Sequence, residues 1–203
     1  NTVLVMNYPK IDDVSYVKKS NEYNSNNVCY IGNINAQRGL YEALKIWDYI
    51  GNNGTFYIIG NFSDSSYKKK CIEMNIKNVA YLGHQSRKEI VSIVSRCSSG
   101  ILPFLKGPNH DNAIPNKFFE YMAYGLQVIS NNLPLLSSLA EELEIPVIVD
   151  ITNIEQSSKL LMKEFLDEPH LKGQILSKLV WSKYNWNLEP VSYTHLRAHE
   201  TDR

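Results

Sequence analysis

The chain has 203 residues, of which 43% are hydrophobic and 21% are charged, and these values are typical of one sizeable globular domain. Lysine and arginine together number 21, as do aspartate and glutamate, so the formal net charge is zero and neither a broad nucleic-acid-binding surface nor a polybasic membrane patch is expected. No apolar run approaches the roughly 20 residues that a membrane-spanning helix needs. The three cysteines form no CxxC pair, which argues against a disulfide framework and indicates a reducing compartment.

The first segment of the chain, residues 1–26, is predicted to be the remnant of an interdomain linker. A short apolar run at 3–6 is strand-like, but residues 10–26 are rich in Lys, Asp, Ser and Asn and show no apolar periodicity. We therefore expect the domain proper to cover residues 27–190.

A βα unit recurs from residue 28 onward. Each unit has an apolar strand that ends in Gly or Pro, then a polar turn, then a helical pattern. Strands are predicted at 28–32, 56–60, 79–83, 100–103, 126–130 and 146–150. Helices are predicted at 39–50, 67–74, 87–95, 115–124, 133–142, 154–167 and 171–181. This alternation predicts an α/β fold, a Rossmann-like doubly wound parallel sheet with helices on both faces.

Small and polar residues follow the predicted strands. Gly32, Gly60 and Gly83 end three consecutive strands, and His84 follows the third. Because the carboxyl ends of parallel strands share one edge of the sheet, where α/β domains bind ligands, these residues are expected to lie along that edge. Glycines there allow close backbone approach and can direct N–H groups at oxygen atoms, which suits a phosphorylated molecule. The alternatives are that glycine only ends each strand tightly and that His84 is simply exposed or hydrogen-bonded.

Two cations lie near predicted helix starts. Lys117 is in the first turn of a helix that is expected to begin at Pro115, whose fixed φ suits the first helical position. Arg38 directly precedes the first predicted helix, so both cations oppose a helix dipole. A bound anion would remove this conflict, and Glu120, one turn further along, can hold a pair of sugar hydroxyls. The alternative is that all three are ordinary exposed side chains.

Three segments carry a more specific pattern. They are YIGNINAQRG at 30–39, VAYLGH at 79–84 and IPNKFFEYMAYGLQVIS at 114–130. The third contains P-x-K-x-x-E-x-x-A-x-G, with the residues Pro115, Lys117, Glu120, Ala123 and Gly125. Together the segments resemble the C-terminal, nucleotide-sugar-binding domain of GT-B glycosyltransferases of the retaining family 4 type. The similarity covers about residues 1–189.

The resemblance implies how a nucleoside diphosphate sugar would be held. Arg38 would bind the diphosphate, and Gly32 would let the phosphates approach the backbone. Backbone N–H groups around Asn116 and Lys117 would help to hold the diphosphate, and Glu120 would hydrogen-bond the ribose.

The resemblance also assigns the base-binding end and shows departures from the family pattern. Gly83 and His84 would lie beside the base. The chain has Asn112 where many relatives carry a second glutamate near the donor sugar, and an amide can hydrogen-bond a sugar but supplies no carboxylate. Gln127 stands where a proline is frequent, and Asn33 stands where a cation is sometimes found. The loop 104–114 is longer than most connections and is a further functional candidate.

The resemblance implies a glycosyltransferase that moves a sugar from a nucleoside diphosphate sugar to a saccharide or lipid-linked acceptor with retention of configuration. The diphosphate sugar is then the donor substrate, and neither a cofactor nor a metal is expected. The acceptor-side N-terminal domain of the same protein is expected to be missing here, so this chain alone is expected to be inactive. A cytoplasmic location is expected, with any peripheral membrane contact made by the missing half, and no nucleic-acid partner is expected.

Two alternatives remain at this point. A GT-B nucleotide-sugar epimerase would use the same donor edge, whereas a non-enzymatic α/β ligand-binding module would have no nucleotide affinity. Separately, residues 191–203 resemble translated sequencing-adapter read-through and are expected to be a non-native tail.

Overall fold

The computed structural model describes residues 16–51 and 53–184, which form a six-stranded sheet with helices on both faces. The strands are β1 (Val28–Ile31), β2 (Phe56–Ile59), β3 (Val79–Gly83), β4 (Ser99–Leu102), β5 (Gln127–Asn131) and β6 (Val147–Val149). Neighbouring strands are parallel, and their order in the sheet is β3-β2-β1-β4-β5-β6. The predicted Rossmann-like doubly wound sheet is confirmed.

The helices divide between the two faces of this sheet. They are α1 (Leu40–Ile50), α2 (Ser65–Ile72), α3 (Arg87–Val94), α4 (Pro108–Asp111), α5 (Asn116–Tyr124), α6 (Pro134–Leu143), α7 (Ile154–Leu166) and α8 (Pro169–Lys183). One buried apolar cluster contains side chains of α1, α2 and α7, and the other contains side chains of α3, α5, α6 and α8. The hydrophobic core therefore lies in two layers, one on each face.

The sequence pattern explains why these elements form. The strand β1 is buried at all four positions, as expected for a central parallel strand, which needs apolar residues on both faces rather than in alternation. In α1, the buried residues Leu40, Leu44 and Trp47 recur at helical spacing and face the sheet. The helix ends at Gly51, which adopts a left-handed conformation with φ 58°.

The winding of the chain reverses between β1 and β4. The chain leaves β1 toward β2 on one side and leaves β4 toward β5 on the other. The loop that joins β1 to α1 and the loop that joins β4 to α5 therefore flank a crevice at the carboxyl edge of the sheet. Open α/β sheets bind ligands at such a reversal, which we call the switch point.

Some predicted element boundaries are wrong in detail. Pro115 is not the first helical residue but the residue before it, because its ψ of 140° is extended, and its carbonyl accepts the Phe118 N–H at 2.9 Å. The helix α2 begins two residues earlier than predicted, because Asp64 caps it by accepting the Tyr67 N–H at 2.6 Å. The loop 104–114 contains the one-turn helix α4.

Part of the predicted linker packs against the domain. Residues 16–26 form neither a helix nor a strand, but the Val17 N–H donates to the Tyr124 carbonyl at 3.2 Å. The Ser20 N–H likewise donates to the Ser95 carbonyl at 3.0 Å. The predicted boundary between linker and domain stays a prediction.

Other predictions concern parts of the chain without a described structure. The strand-like run at 3–6, residues 185–190 and the tail at 191–203 lie outside the described residues. Among the helices that are described, none combines the length and the apolar character needed to cross a membrane.

Candidate functional site

Three glycines lie side by side at the carboxyl edge, as the sequence predicts. A Cβ atom on Gly60 would lie 1.8 Å from the carbonyl oxygen of Gly32, so only glycine fits there. The Gly60 N–H donates to the Gly83 carbonyl at 2.8 Å, and the Gly32 N–H donates to the Ile59 carbonyl at 2.9 Å. The expectation that these glycines direct N–H groups at a ligand is therefore wrong for Gly32 and Gly60, whose N–H groups bond within the sheet. Their contribution is close backbone approach.

The turn that follows β1 is held by a buried tyrosine. The Tyr30 hydroxyl donates to the Asn33 carbonyl at 2.6 Å, which closes the turn around Gly32. Burial raises the pKa of Tyr30 to about 12, against a smaller lowering by the nearby Arg38 charge. The hydroxyl therefore stays protonated and remains a donor at neutral pH.

Arg38 lies at the end of this same loop. It is the last residue of a 3₁₀ turn, Ala36–Arg38, and Gly39 then caps α1. Arg38 therefore directly precedes the N-cap of α1, as predicted, and it is also the last residue of a separate turn. A Cβ on Gly39 would lie 1.8 Å from the Pro103 carbonyl oxygen, so the loops after β1 and β4 meet here.

An aromatic side chain after β4 completes this contact. The Arg38 guanidinium carbon lies 4.4 Å from the centroid of the Phe104 ring, within cation–π range. The His110 ring stacks on Phe104 with 4.9 Å between centroids, and its Nδ1–H donates to the Leu105 carbonyl at 2.9 Å. The buried Asn131 amide donates to the Phe104 carbonyl at 2.7 Å. Phe104 therefore supports both Arg38 and the loop that carries His110.

The N-terminus of α5 is the second positively charged segment of the edge. In the part of the chain that the structure describes, no side chain caps this N-terminus, and its first turn contains no acidic residue. Lys117 forms an ion pair with Glu120 on the same helix, and the two side chains are 31% and 22% exposed. Each side chain therefore neutralises the other in a half-buried setting, and a role for either in ligand binding stays a prediction.

The chain has recognisable relatives. Residues 14–175 match the family model for Glycosyl transferases group 1. The chain belongs to this family. A curated relative, the putative teichuronic acid biosynthesis glycosyltransferase TuaH of Bacillus subtilis (strain 168), is 30% identical over 66 residues, which are 32% of this chain and 17% of that protein.

Solved structures have the same fold as this group 1 domain. Sucrose-phosphate synthase from Thermosynechococcus elongatus matches with a TM-score of 0.72 at 15% identity, over 95% of this chain and 51% of that one. The C-terminal domain of a glycosyl transferase group 1 family protein (LpcC) from Francisella tularensis matches with a TM-score of 0.66 at 16% identity, over 86% and 90%. A trehalose-6-phosphate structure from E. coli, bound with UDP-2-fluoro glucose, matches with a TM-score of 0.64 at 13% identity, over 92% and 44%.

The chain spans about half the length of the sucrose-phosphate synthase and a smaller part of TuaH. The matches show a group 1 glycosyltransferase domain and its fold. The narrower assignment to retaining family 4 and the interpretation of residues 191–203 as adapter read-through stay predictions.

The predicted contacts of this group 1 domain fall into two places along the edge. Arg38, Lys117 and Glu120 lie on the segments that flank the switch point. Gly83 is the last residue of the edge strand β3, and His84 follows it. This strand lies two strands from β1 and so roughly 10 Å from it. The predicted contacts therefore extend along the edge from the switch point to β3.

The two predicted asparagines lie on the connection between β4 and α5. Asn112 ends α4 and Asn116 begins α5, and both are exposed. Among residues 16–51 and 53–184, no group of three or more His, Cys, Asp and Glu side chains is placed to hold a metal ion. That donor binding needs no metal stays a prediction.

The sequence pattern does not distinguish Phe104 or His110 from the other residues of the loop 104–114. Phe104 follows a predicted strand and its proline, a position where an aromatic residue is equally typical of core packing. Its contact with Arg38 can be expected only when the strand order is known, because that order places the loops after β1 and β4 next to each other.

Proposed function

We propose that this chain is the donor-binding domain of a glycosyltransferase that moves a sugar from a nucleoside diphosphate sugar to a saccharide or lipid-linked acceptor. Membership of the group 1 family supports the reaction class. The single observation that carries the assignment of the site is the position of the two cations. Arg38 and Lys117 lie on the two segments that flank the switch point, where α/β sheets bind ligands.

The diphosphate is proposed to bind between these two segments. Arg38 offers a guanidinium already positioned by Phe104, and the N-terminus of α5 offers backbone N–H groups around Asn116 and Lys117. Gly32 lets the phosphates come close to the β1 backbone. Stabilisation of the departing diphosphate by these positive groups is an electrostatic contribution to sugar transfer, and it needs no metal.

The sugar parts of the donor are assigned to the remaining residues. Glu120 is proposed to accept hydrogen bonds from the ribose hydroxyls, which requires its pair with Lys117 to open as Lys117 turns toward the diphosphate. Gly83 and His84 are proposed to lie beside the base, and Asn112 to contact the donor sugar. The ion pair thus holds both side chains half-buried until the donor separates them.

The full-length protein is proposed to contain a second domain besides this donor-binding one. An acceptor-binding N-terminal domain would close the active site, transfer would occur with retention of configuration, and this chain alone would transfer little or no sugar. A cytoplasmic protein, with any membrane contact made by that N-terminal domain, fits this proposal.

Calorimetric titration of UDP and GDP into the 203-residue chain tests the donor site. We expect one of them to bind, and Glu120→Ala to weaken that binding by about 10- to 100-fold, because a charged acceptor of the ribose hydroxyls is lost. Glu155→Ala is the matched control, since Glu155 forms a helical pair with Lys159 at 2.6 Å on the exposed face of α7. Unchanged binding in Glu120→Ala, or no binding of either nucleotide by the wild-type chain, would contradict the proposal.

A further inference from the structure

The sheet is incompletely paired at the switch point. The strands β1 and β4 align Val28 with Ser99 and Cys29 with Gly100, and within the described residues their register extends no further. On its other side, β1 stays paired with β2 to its last residue, where Ile31 aligns with Ile59. The carboxyl ends of β1 and β4 therefore separate at the place where the donor site begins.

Because of this separation, one backbone N–H group of β1 points toward β4 but has no β4 carbonyl to bond to. This group is the N–H of Ile31. The N–H groups of Val28 and Gly32 point to β2, where they donate to the carbonyls of Thr55 at 3.0 Å and Ile59 at 2.9 Å. N–H directions alternate along a strand, so the Ile31 N–H points to the β4 side. A buried N–H without an acceptor is costly, so this group needs a partner.

The partner is a tyrosine of α5. The Ile31 N–H donates to the Tyr121 hydroxyl at 2.8 Å, across 90 residues of sequence, and the Tyr121 side chain is completely buried. The ring lies directly on β4, since a Cβ atom on Gly100 would be 2.5 Å from its Cγ and Cδ2 atoms. Tyr121 thus takes the place of a β4 carbonyl and keeps the two strands apart.

We propose that Tyr121 is a positioning residue that sets the spacing between the two halves of the diphosphate site. This inference rests on the proposed donor site. Ile31 directly precedes Gly32 and the loop that carries Arg38, while Tyr121 directly follows Glu120 and lies one helical turn after Lys117. A single buried hydrogen bond therefore joins the β1 loop to the helix turn that carries the other cation.

Removal of the hydroxyl changes this spacing without emptying the core. In Tyr121→Phe the ring still fills its place against Gly100, but the Ile31 N–H loses its acceptor. The N–H then has to reach a β4 carbonyl or a water molecule, and either adjustment moves β1 relative to α5. The affinity of a ligand that contacts both segments falls when they move relative to each other. The affinity of a ligand held by one segment does not change.

A double-mutant cycle on UDP binding tests the inference, with GDP in place of UDP if GDP is the nucleotide that binds. The four proteins are the wild-type chain, Tyr121→Phe, Arg38→Ala and the double variant. We expect Tyr121→Phe alone to weaken binding about fivefold to tenfold. In the Arg38→Ala background the same change is expected to weaken binding less than twofold, because the spacing matters only when the β1 loop carries its cation.

Tyr81→Phe provides the matched control. Tyr81 lies on β3, and its hydroxyl donates to the carbonyl of Cys71 on α2 at 3.2 Å. This variant therefore also loses a hydrogen bond between a tyrosine hydroxyl and the backbone. Urea unfolding shows which variants are folded at the temperature of the titration. We expect Tyr81→Phe to bind UDP like the wild-type chain.

The outcomes separate this inference from the proposed function. If the wild-type chain binds a nucleotide but Tyr121→Phe binds it equally well, the positioning role is wrong and the donor site stands. The role is also wrong if the effects of Tyr121→Phe and Arg38→Ala simply add. If the wild-type chain binds neither UDP nor GDP, the proposed function and the inference fail together.

Discussion

Two half-buried clusters of lysine and carboxylate in this domain have similar chemistry but different mechanical roles. At the start of α5, Lys117 pairs with Glu120, three residues away on the same helix. At the junction of α7 and α8, Lys172 pairs with Glu164 at 2.8 Å and with Asp167 at 2.7 Å. The two lysine side chains are 31% and 25% exposed, so solvent access does not distinguish them.

The difference lies in what each cluster connects. Glu164 of α7 also accepts a hydrogen bond from the Gln127 amide of β5 at 3.0 Å, so the Lys172 cluster joins α8, α7 and the sheet. The backbones are close there, since a Cβ on Gly173 would lie 2.2 Å from the Gly125 carbonyl oxygen. The Lys117 pair connects no two elements. An ion pair within one helix turn can be opened by a ligand without disturbing the fold, whereas a pair between elements cannot.

Breaking each cluster at its lysine should therefore affect stability very differently, and this is the largest effect we expect. Lys172→Met keeps the apolar stem but leaves the Glu164 carboxylate without its cation, and we expect the free energy of unfolding to fall by about 2 kcal/mol. Lys117→Met also removes a cation from the first turn of α5, where the dipole disfavours it, so we expect a change of less than about 0.5 kcal/mol. Urea unfolding followed by circular dichroism measures both.

If the free energy of unfolding falls equally in the two variants, the Lys117 pair also stabilises the fold. The two clusters then do not differ in their mechanical role. Lys159→Met is a suitable reference, because the pair of Lys159 with Glu155 is exposed on α7 and should contribute little.

Nucleotide affinity should be affected more by Lys117→Met than by Lys172→Met, which is the reverse of the order expected for stability. The expected change in free energy is smaller than the stability change. We expect Lys117→Met to weaken UDP or GDP binding about tenfold, because one of the cations proposed to face the diphosphate is lost. Lys172→Met should bind the nucleotide within twofold of the wild-type chain wherever it remains folded. Calorimetric titration measures both, and a larger loss in Lys172→Met would place the ligand elsewhere.

The sheet itself is predictable from the sequence because buried parallel strands need continuous apolar runs. The runs VCYI and FYII stand out between polar turns and coincide with β1 and β2. The spacing of Lys117 and Glu120 also predicts a contact, since side chains three residues apart on a helix are neighbours. The anion beside Lys117 is therefore supplied by the same helix, since Glu120 pairs with it without any bound ligand.

The long-range contacts of the site are not predictable in this way. The contact of Arg38 with Phe104 and the bond of Ile31 to Tyr121 depend on β1 lying beside β4. Apolar runs give the number of strands but not their order, and an aromatic residue has the same local pattern whether it packs in a core or supports a site. The sequence therefore predicts which residues lie at the carboxyl edge of the sheet. It predicts less well which of these residues contact one another.

The pH dependence of stability is the smallest effect and sharpens the comparison further. The hydrogen bond from Lys172 lowers the pKa of Asp167, so this contribution is present above the unfolded pKa of about 3.9 and is lost as the pH falls through the folded value. Burial lowers the pKa of Lys172, but its bonds to Asp167 and Glu164 outweigh this and the net shift is upward. Its contribution is therefore present below about pH 10.4 and is lost as the pH rises through the folded pKa.

The stability difference between wild-type chain and Lys172→Met should therefore be constant from about pH 5 to pH 9 and shrink on both sides. Urea unfolding at a series of pH values measures it. A difference that instead changes between pH 5 and pH 9 would mean that a group outside the Lys172 cluster titrates with it, and the cluster would no longer be a self-contained connection between α7 and α8.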